Sequence, residues 1–302
     1  MNQQFLTELK AVTAENRIFT DEPMKKHTTF RVGGTADILV QPKGTELAAV
    51  IRLCRKYDVP YQVIGNGSNL LVGDRGIRGL VIEMLSKEDE ICVEDDCITV
   101  GAGMLLSKTA NRAAEHGLTG MEFAAGIPGS IGGAVVMNAG AYGGEMKDIL
   151  TAVTVLDQEG NEKILSAEEL ELGYRTSCIL KKGYIVTGAK IKLKHGEETA
   201  IRARMEELKK QRVEKQPLEY PSAGSTFKRP EGYFAGKLIM DAGLRGYLVG
   251  EAQVSEKHCG FVINRGNATA ADVRTLMQNV ADIVEEKFGV RLEPEVKMIG
   301  EF

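Results

Sequence analysis

The order of apolar and polar residues along the chain predicts alternating helices and strands. Within residues 184–194, apolar side chains occupy alternate positions and lysines stand between them, which is the period of a β-strand. Within residues 269–289, apolar residues recur every three or four positions, Thr269 and Asp272 suit a helix start, and Gly289 suits its end. The same reasoning predicts helices over 1–20, 45–58, 107–117, 166–173 and 196–217, and strands over 59–65, 78–84, 97–103, 259–266 and 290–300, with two more strands within 150–165.

The character of the chain changes at about residue 196, where a highly charged helix begins that Pro217 ends. Strands dominate before this point, and loops, one strand and the long helix follow it. We therefore predict an α+β protein with an N-terminal helical segment over 1–29, a larger domain over 30–196 and a C-terminal domain over 197–302. Ser166 and Glu169 form the pattern of a capping box at one helix start.

Composition excludes several classes of protein. The chain has 302 residues, enough for about two domains. Its 38 basic and 42 acidic residues give a net charge of −4, which argues against a general nucleic-acid binder. No apolar run approaches the roughly 20 residues of a membrane span, and the polar N-terminus lacks a signal-peptide core, so we expect a cytoplasmic protein. The five cysteines and four histidines are scattered, so we expect reduced thiols and no metal site.

The first glycine cluster, VIGNGSNLLVGDRGIRG at 63–79, invites comparison with a dinucleotide-binding turn. The comparison fails, because position 70 is leucine where the third glycine belongs and because Gly73, Gly76 and Gly79 prevent a helix from following. A nest of backbone N–H groups around an anion is the alternative that remains, with Ser68 and Asn69 as further donors.

A second cluster, AAGIPGSIGGAVVMNAGAYGGE at 124–145, leaves the backbone bare over about twenty residues. Taken alone, it could be a set of tight turns in a sheet-rich domain. Two such clusters in one domain suggest two walls of one large-ligand site. A cofactor that contains a pyrophosphate fits that description.

The segment PSAGSTFKRP at 221–230 contains Ser225, which follows Ala223-Gly224 and precedes Thr226-Phe227-Lys228-Arg229. A serine in such a stretch commonly turns or caps the chain, and the segment alone does not separate that role from a proton donor's.

Six segments occur in an order that resembles a known family: VIGNGSNLLV, GIPGSIGGAVVMNAGAYG, LGYRTS, KQP, SAGSTFKRP and LEPEVKMIG. The chain resembles the UDP-N-acetylenolpyruvoylglucosamine reductase (MurB) family, flavoenzymes of peptidoglycan precursor synthesis, from about Thr28 to the C-terminus. The resemblance implies an FAD-binding fold of the vanillyl-alcohol-oxidase (PCMH) type in two subdomains, with a C-terminal α+β domain that binds the UDP-sugar. The length is that of the shorter type, which lacks an extra tyrosine-bearing loop. FAD would be non-covalent, because GNGSN offers no histidine for attachment.

The resemblance also implies a reaction and its catalytic groups. Hydride would pass from NADPH to FAD and then to C3 of the enolpyruvyl ether of UDP-N-acetylglucosamine, giving UDP-N-acetylmuramate. Addition to C3 drives negative charge onto the substrate carboxylate, so a cation or hydrogen-bond donor must stabilise it, and a proton must reach C2. By motif, Ser225 is the proton donor, Arg175 the cation and Glu295 the third catalytic group. Taken singly, Arg175 could be a surface arginine and Glu295 a member of a structural ion pair.

Less specific assignments follow from the same motifs. Substrate contacts are expected at Tyr142, Tyr174, Arg212, Lys228 and Arg229, although each could instead be a packed tyrosine or a solvated charge. We expect FAD contacts from the two glycine clusters, namely Ile64, Gly65, Asn66, Gly67, Ser68, Asn69, Leu70, Gly126, Ile127, Pro128, Gly129, Ser130, Gly132, Gly133, Asn138 and Gly140.

Two other functions stay open on the sequence. The chain could be another FAD-dependent oxidoreductase or oxidase of the same fold, or a non-catalytic module that binds a nucleotide sugar. No obligate protein partner is evident in the sequence.

Overall fold

The computed structural model describes residues 3–84 and 91–302. The helices are α1 (Gln3–Val12), α2 (Gly44–Lys56), α3 (Leu106–Glu115), α4 (Ile131–Val136), α5 (Cys178–Lys182), α6 (Glu198–Lys215), α7 (Ala235–Asp241) and α8 (Ala270–Phe288). The strands are β1 (Ile18–Pro23), β2 (Thr35–Val40), β3 (Tyr61–Ile64), β4 (Leu70–Val72), β5 (Ile77–Glu83), β6 (Ile91–Glu94), β7 (Cys97–Gly101), β8 (Leu118–Thr119), β9 (Gly140–Ala141), β10 (Gly144–Glu145), β11 (Leu150–Leu156), β12 (Glu162–Ser166), β13 (Ile185–Lys192), β14 (Lys194–His195), β15 (Ser222–Ser225), β16 (Leu248–Val249), β17 (Ala252–Val254), β18 (Phe261–Asn264) and β19 (Lys297–Ile299).

The chain divides into two compact units. Unit 1 comprises Met1–Thr20, Ile38–Asn66 and Gly79–Gln211. Unit 2 comprises Asp21–Asp37, Gly67–Arg78 and Arg212–Phe302. The domain limits at residues 30 and 196 stay predictions from the sequence.

Unit 1 contains two apolar cores. One lies around the antiparallel sheet β12-β11-β13-β7-β6, where Val153, Val155 and Ile191 are buried and α3 and α4 contribute apolar side chains. The other lies where α1 and α2 pack against strands of the sheet β1-β2-β5-β3, with Phe5 and Leu9 fully buried. Each fully buried side chain of this size contributes about 1.5–3 kcal/mol relative to exposure. Two cores agree with the two subdomains that the sequence led us to expect.

Unit 2 has one core, which lies between α7, α8 and the antiparallel sheet β15-β18-β17-β16. The face of α8 predicted from the sequence is buried, and its predicted ends are confirmed. Thr269 and Asp272 form a capping box, and Gly289 takes the left-handed conformation at the C-cap. The last strand, β19, pairs in parallel with β4, which joins the C-terminal residues to the loop that begins at Gly67.

Three sequence predictions need correction. The N-terminal helix ends at Val12 rather than near residue 20, and β1 follows it. Ser166 and Glu169 do form reciprocal capping hydrogen bonds, but a turn follows instead of a helix, because Glu171 takes a left-handed φ of 51°. Of the strand predicted over 290–300, the structure contains only β19. The residues before it bond elsewhere, because the Glu293 carbonyl accepts the Lys228 N–H and the Glu295 N–H donates to the Thr226 carbonyl.

Among the helices of the described residues, none combines the length and the apolar composition that crossing a bilayer requires.

Candidate active site

Residues from the two glycine clusters meet within unit 1. The Asn66 side-chain amide donates to the Pro128 carbonyl at 2.7 Å. A Cβ atom at Gly65 would lie 2.2 Å from the Ser130 hydroxyl, so only glycine allows this approach. Ser130 caps α4 by accepting a hydrogen bond from the Gly133 backbone. The two segments therefore form one continuous surface in unit 1.

The rest of the first cluster belongs to unit 2. Gly67 has a left-handed φ of 59°, and a Cβ there would lie 1.9 Å from the His27 carbonyl oxygen, so no other residue fits without movement. Asn69 donates its side-chain amide to the Glu295 carbonyl at 3.2 Å. Leu70 begins β4, whose pairing with β19 continues this attachment. The predicted cofactor loop and the predicted catalytic glutamate are thus tied together in unit 2.

Arg175 stands in a tight turn of unit 1. Gly173 and Thr176 exchange two backbone hydrogen bonds, of 3.1 and 3.3 Å, and Arg175 takes a left-handed φ of 55° between them. The guanidinium donates to the Gly140 carbonyl at 3.2 Å and lies over the half-exposed Tyr174 ring, 5.1 Å from its centroid. The turn therefore holds a permanent cation beside the second glycine cluster.

The hairpin of β9 and β10 carries Tyr142. Ala141 pairs with Gly144, and Tyr142 and Gly143 between them have φ values of 53° and 88°. Two positive φ values in a two-residue hairpin loop define a type I′ turn, where Asn-Gly is the favoured pair. Tyrosine is unusual at that position, and its side chain is 36% exposed. Tyr142 is thus held outward at a cost to the backbone.

Asn138 lies at the base of this hairpin and is fully buried. Its amide nitrogen donates to the Glu145 carboxylate at 2.9 Å and to the Gly173 carbonyl at 3.0 Å. Its amide oxygen accepts from the Lys147 backbone at 2.9 Å. The side chain expected to contact FAD therefore has its hydrogen bonds with the protein.

Ser225 and Glu295 lie close together along the backbone of unit 2. Ser225 ends β15, is exposed, and pairs with Phe261. The next residue, Thr226, accepts a hydrogen bond from the Glu295 N–H at 2.8 Å through its carbonyl. Glu295 is 8% exposed, so its carboxyl group lies in a mostly dry environment. The structure thus brings these two predicted catalytic residues together.

His258 lies in the loop that supports the Ser225 strand, and the sequence analysis gave it no role. Its Nδ1 accepts the Gly260 N–H at 3.1 Å, and the Gly260 carbonyl accepts the Thr226 N–H at 2.9 Å. Burial lowers the pKa of His258, which favours the neutral ring that this hydrogen bond requires. The histidine therefore supports the backbone next to Ser225.

The predicted substrate cations of unit 2 have different surroundings. Lys228 pairs with Glu293 at 3.0 Å. Arg229 is exposed, and its guanidinium lies 4.0 Å from the centroid of the exposed Phe234 ring. Arg212 is half-buried in α6. Arg229 with Phe234 thus presents a charged and aromatic surface, whereas the Lys228 ammonium already contacts a carboxylate. Among the described residues, no group of three or more His, Cys, Asp or Glu side chains could hold a metal ion.

Comparison with known proteins identifies the family. Residues 36–166 match the family model described as an FAD binding domain. Residues 216–299 match the model of the UDP-N-acetylenolpyruvoylglucosamine reductase C-terminal domain. The UDP-N-acetylenolpyruvoylglucosamine reductase of Agathobacter rectalis is 57% identical, with 100% of each chain covered. The chain belongs to the UDP-N-acetylenolpyruvoylglucosamine reductase family.

Other members of this family agree. The reductase of Caldanaerobacter subterraneus is 52% identical, again with 100% of each chain covered. The crystal structure of the Thermus caldophilus reductase (MurB) superposes with a TM-score of 0.79 at 39% identity, covering 93% of this chain and 97% of that one. These comparisons confirm the resemblance seen in the sequence and the expected fold. The chain is therefore an FAD-dependent oxidoreductase of peptidoglycan synthesis.

The residues of the glycine clusters fit FAD. The two clusters contain two acidic residues, Asp74 and Glu145, and both carboxylates accept hydrogen bonds from the protein, from the Ala270 and Ala271 backbone and from the Asn138 side chain. The stretches 63–73 and 124–144 contain no carboxylate that would repel a pyrophosphate. Gly126 and Gly133 are exposed, and an added Cβ at Gly133 would meet only the Ser130 hydroxyl, at 3.5 Å. This bare, uncharged backbone in unit 1 is suited to close approach by phosphate oxygens.

Proposed function

We propose that this chain reduces the enolpyruvyl ether of UDP-N-acetylglucosamine to UDP-N-acetylmuramate, with NADPH as the reductant. The observation that supports the proposal is the backbone hydrogen bond from Glu295 to Thr226, which brings the buried residue Glu295 next to the strand end at Ser225. Two residues of separate motifs that the reaction would need are therefore neighbours along the backbone, which a binding module would not require. Both NADPH and a nucleotide sugar are cytoplasmic metabolites, which supports the expected location.

The two glycine clusters would hold FAD, as the family resemblance implies. When bound, FAD would supply the hydride-transfer chemistry between NADPH and C3 of the enolpyruvyl group. The protein's own contribution is to position the substrate, stabilise charge and supply a proton.

Arg175 would bind the substrate carboxylate. Hydride arrival at C3 increases the negative charge on that carboxylate, and a fixed guanidinium stabilises this charge more than that of the ground state. The tight turn and the Gly140 hydrogen bond restrict the guanidinium before substrate arrives. Less reorganisation is then needed during the reaction.

Ser225 would donate its hydroxyl proton to C2. Serine is a weak acid, but the carbon that receives the proton belongs to an enolate dianion, which is a strong base. The exposed hydroxyl at the end of β15 is accessible to a substrate. Glu295 would share a proton or hydrogen bond with the substrate carboxylate, as the family resemblance implies.

The decisive experiment is a visible spectrum of the purified protein under anaerobic conditions, before and after NADPH and again after the enolpyruvyl substrate. We expect a flavin absorption band at about 450 nm that bleaches with NADPH and returns with substrate. A band that bleaches but does not return would contradict the substrate while leaving the cofactor. A protein that cannot be reconstituted with FAD would contradict the role given to the glycine clusters.

A further inference from the structure

Asn138 occupies a position that the proposed reaction does not use. It is fully buried, takes a left-handed φ of 44°, and makes three hydrogen bonds to two separate segments of unit 1. Its partners are the Glu145 carboxylate, the Lys147 backbone and the Gly173 carbonyl. Few side chains have two donors and an acceptor and also tolerate a left-handed backbone, and asparagine is the shortest of them.

The bond to Gly173 is the informative one, because Gly173 opens the turn that carries Arg175. A left-handed arginine costs free energy, so the turn persists only if its surroundings hold it. The same Asn138 nitrogen also donates to the Glu145 carboxylate, and Glu145 pairs with Gly140 across the β9–β10 hairpin. Gly140 in turn accepts the guanidinium of Arg175. Asn138 therefore connects both attachments of Arg175, the backbone of its turn and the carbonyl that its side chain contacts.

We propose that Asn138 is a positioning residue that holds the Arg175 turn against the β9–β10 hairpin. It acts through Gly173 and Glu145 and does not contact the reacting atoms. The inference rests on the proposed function in one respect, namely that Arg175 binds the substrate carboxylate. It also gives Asn138 a role other than the FAD contact expected from the sequence.

Asn138→Gly is the first test, because glycine keeps the left-handed backbone and removes only the side chain. We expect flavin reduction by NADPH and FAD affinity to be unchanged, and reoxidation by the enolpyruvyl substrate to slow about 10- to 100-fold, the scale of a misplaced catalytic group. Loss of FAD affinity with unchanged reoxidation would show a cofactor contact and overturn the proposal.

A double-mutant cycle tests whether Asn138 acts through Arg175. Arg175→Ala alone should slow reoxidation about 10²- to 10³-fold. If Asn138 only positions Arg175, adding Asn138→Gly should then change the rate less than about twofold. Full additivity of the two effects would overturn the proposal. If Arg175→Ala leaves reoxidation unchanged, the proposed role of Arg175 fails instead.

A measurement without substrate distinguishes failure of the positioning role of Asn138 from failure of the proposed role of Arg175. The ¹⁵N order parameter of the Arg175 backbone amide should fall from a rigid value of about 0.85 toward about 0.6 in Asn138→Gly. An unchanged order parameter would overturn the positioning role whatever the reaction. Asn161→Gly is the matched control, since it removes a side-chain amide from the turn between β11 and β12 and should leave Arg175 rigid.

Asn138→Asp provides a second variant if the glycine variant does not fold. It keeps the acceptor for the Lys147 N–H and loses the donor to Gly173 and Glu145. We expect it to reproduce the slow reoxidation and the mobile Arg175 amide. Normal values of both in this variant would overturn the proposal.

Discussion

The two units hold their candidate catalytic residues by different means. In unit 1, Asn138, Tyr142 and Arg175 take left-handed backbone conformations, with φ values of 44°, 53° and 55°. In unit 2, the left-handed position beside the catalytic serine falls on Gly224, with a φ of 75°, and Ser225 itself continues a strand. At the candidate site, the conformational cost in unit 1 thus falls on Asn138, Tyr142 and Arg175, whereas beside Ser225 it falls on a glycine.

The attachments differ in the same way. The turn of unit 1 adds a side-chain amide and a guanidinium to its two backbone hydrogen bonds. In unit 2, Ser225 pairs with Phe261 through the backbone, and the Glu295 N–H bonds to the Thr226 carbonyl. Backbone bonds survive most substitutions, and side-chain bonds do not. We therefore expect substitutions in unit 1 to change the geometry of the site. Substitution of Ser225 should instead slow catalysis and leave the geometry unchanged.

The largest expected effect is that of Ser225→Ala. Loss of a general acid should slow reoxidation of the reduced flavin by substrate about 10²- to 10⁴-fold. Because the backbone holds this region, the thermal midpoint and the rate of NADPH-to-flavin transfer should stay close to those of the parent. Stopped-flow absorbance of each half-reaction measures this. Ser222→Ala, in the same strand, is the control and should be nearly silent; equal loss in both half-reactions would contradict the proton-donor role.

Gly224→Ala should have the next largest effect and tests whether glycine carries the cost in unit 2. An added Cβ would meet nothing within 4 Å, so the penalty is conformational, about 1–2 kcal/mol of unfolding free energy. If the strain shifts Ser225, turnover should fall as well. Thermal denaturation and steady-state assays measure the two.

Gly243 offers a matched control for Gly224, since it has a φ of 80° and equally open surroundings. Gly243→Ala should lower stability by a similar amount and leave turnover unchanged. Equal turnover in the two variants would show that the conformation of Gly224 does not place Ser225.

Tyr142→Asn makes the reverse test in unit 1. Asparagine suits the first position of a type I′ turn, so this variant should raise the unfolding free energy by up to about 1 kcal/mol, or about 2–4 °C in thermal midpoint. Substrate turnover should fall if the tyrosine ring serves the site. Tyr142→Phe should keep the original stability, and an asparagine variant with full turnover would remove Tyr142 from the site.

Regular elements could be predicted from the sequence because their signals are local. The apolar stripe and caps of α8 lie within about twenty residues, and the hairpin of β11 and β12 shows its turn directly. Two predictions were wrong: that the N-terminal helix continues to about residue 20, and that a helix follows Ser166. In the second case the decisive feature was the backbone of Glu171, which no capping pattern reports.

The site could be predicted only in part. The sequence alone left the roles of Ser225, Arg175 and Glu295 open, and the family resemblance assigned them. No periodicity could show that Glu295 bonds to Thr226, because that contact depends on the register of distant strands. The hydrogen bonds of Asn138 could not be predicted either, since its partners lie on two segments, one near Glu145 and one at Gly173, and its glycine-rich surroundings suggested only a cofactor contact.

The smallest expected effect concerns a second side-chain-held turn of unit 1, the one between β11 and β12. Asp157 accepts the backbone N–H groups of Glu159 and Asn161 at 3.0 and 2.9 Å and pairs with Lys163 at 3.1 Å. The hydrogen bond from the Asn161 backbone is the main reason that the pKa of Asp157 is lowered to about 2. Asp157→Asn should therefore lower the free energy of unfolding at pH 7.

The pH dependence gives this prediction its sign. A carboxyl group whose folded pKa lies below its unfolded value of about 4 adds stability above pH 4, and that contribution is lost as the pH falls toward 2. The stability difference between the parent and Asp157→Asn should thus shrink between about pH 4 and pH 2 in denaturation measured across that range. Lys163→Met should leave most of this dependence in place, because the backbone donors remain. If Lys163→Met abolishes it, the ion pair with Lys163 rather than the backbone donors of the turn stabilises the Asp157 carboxylate.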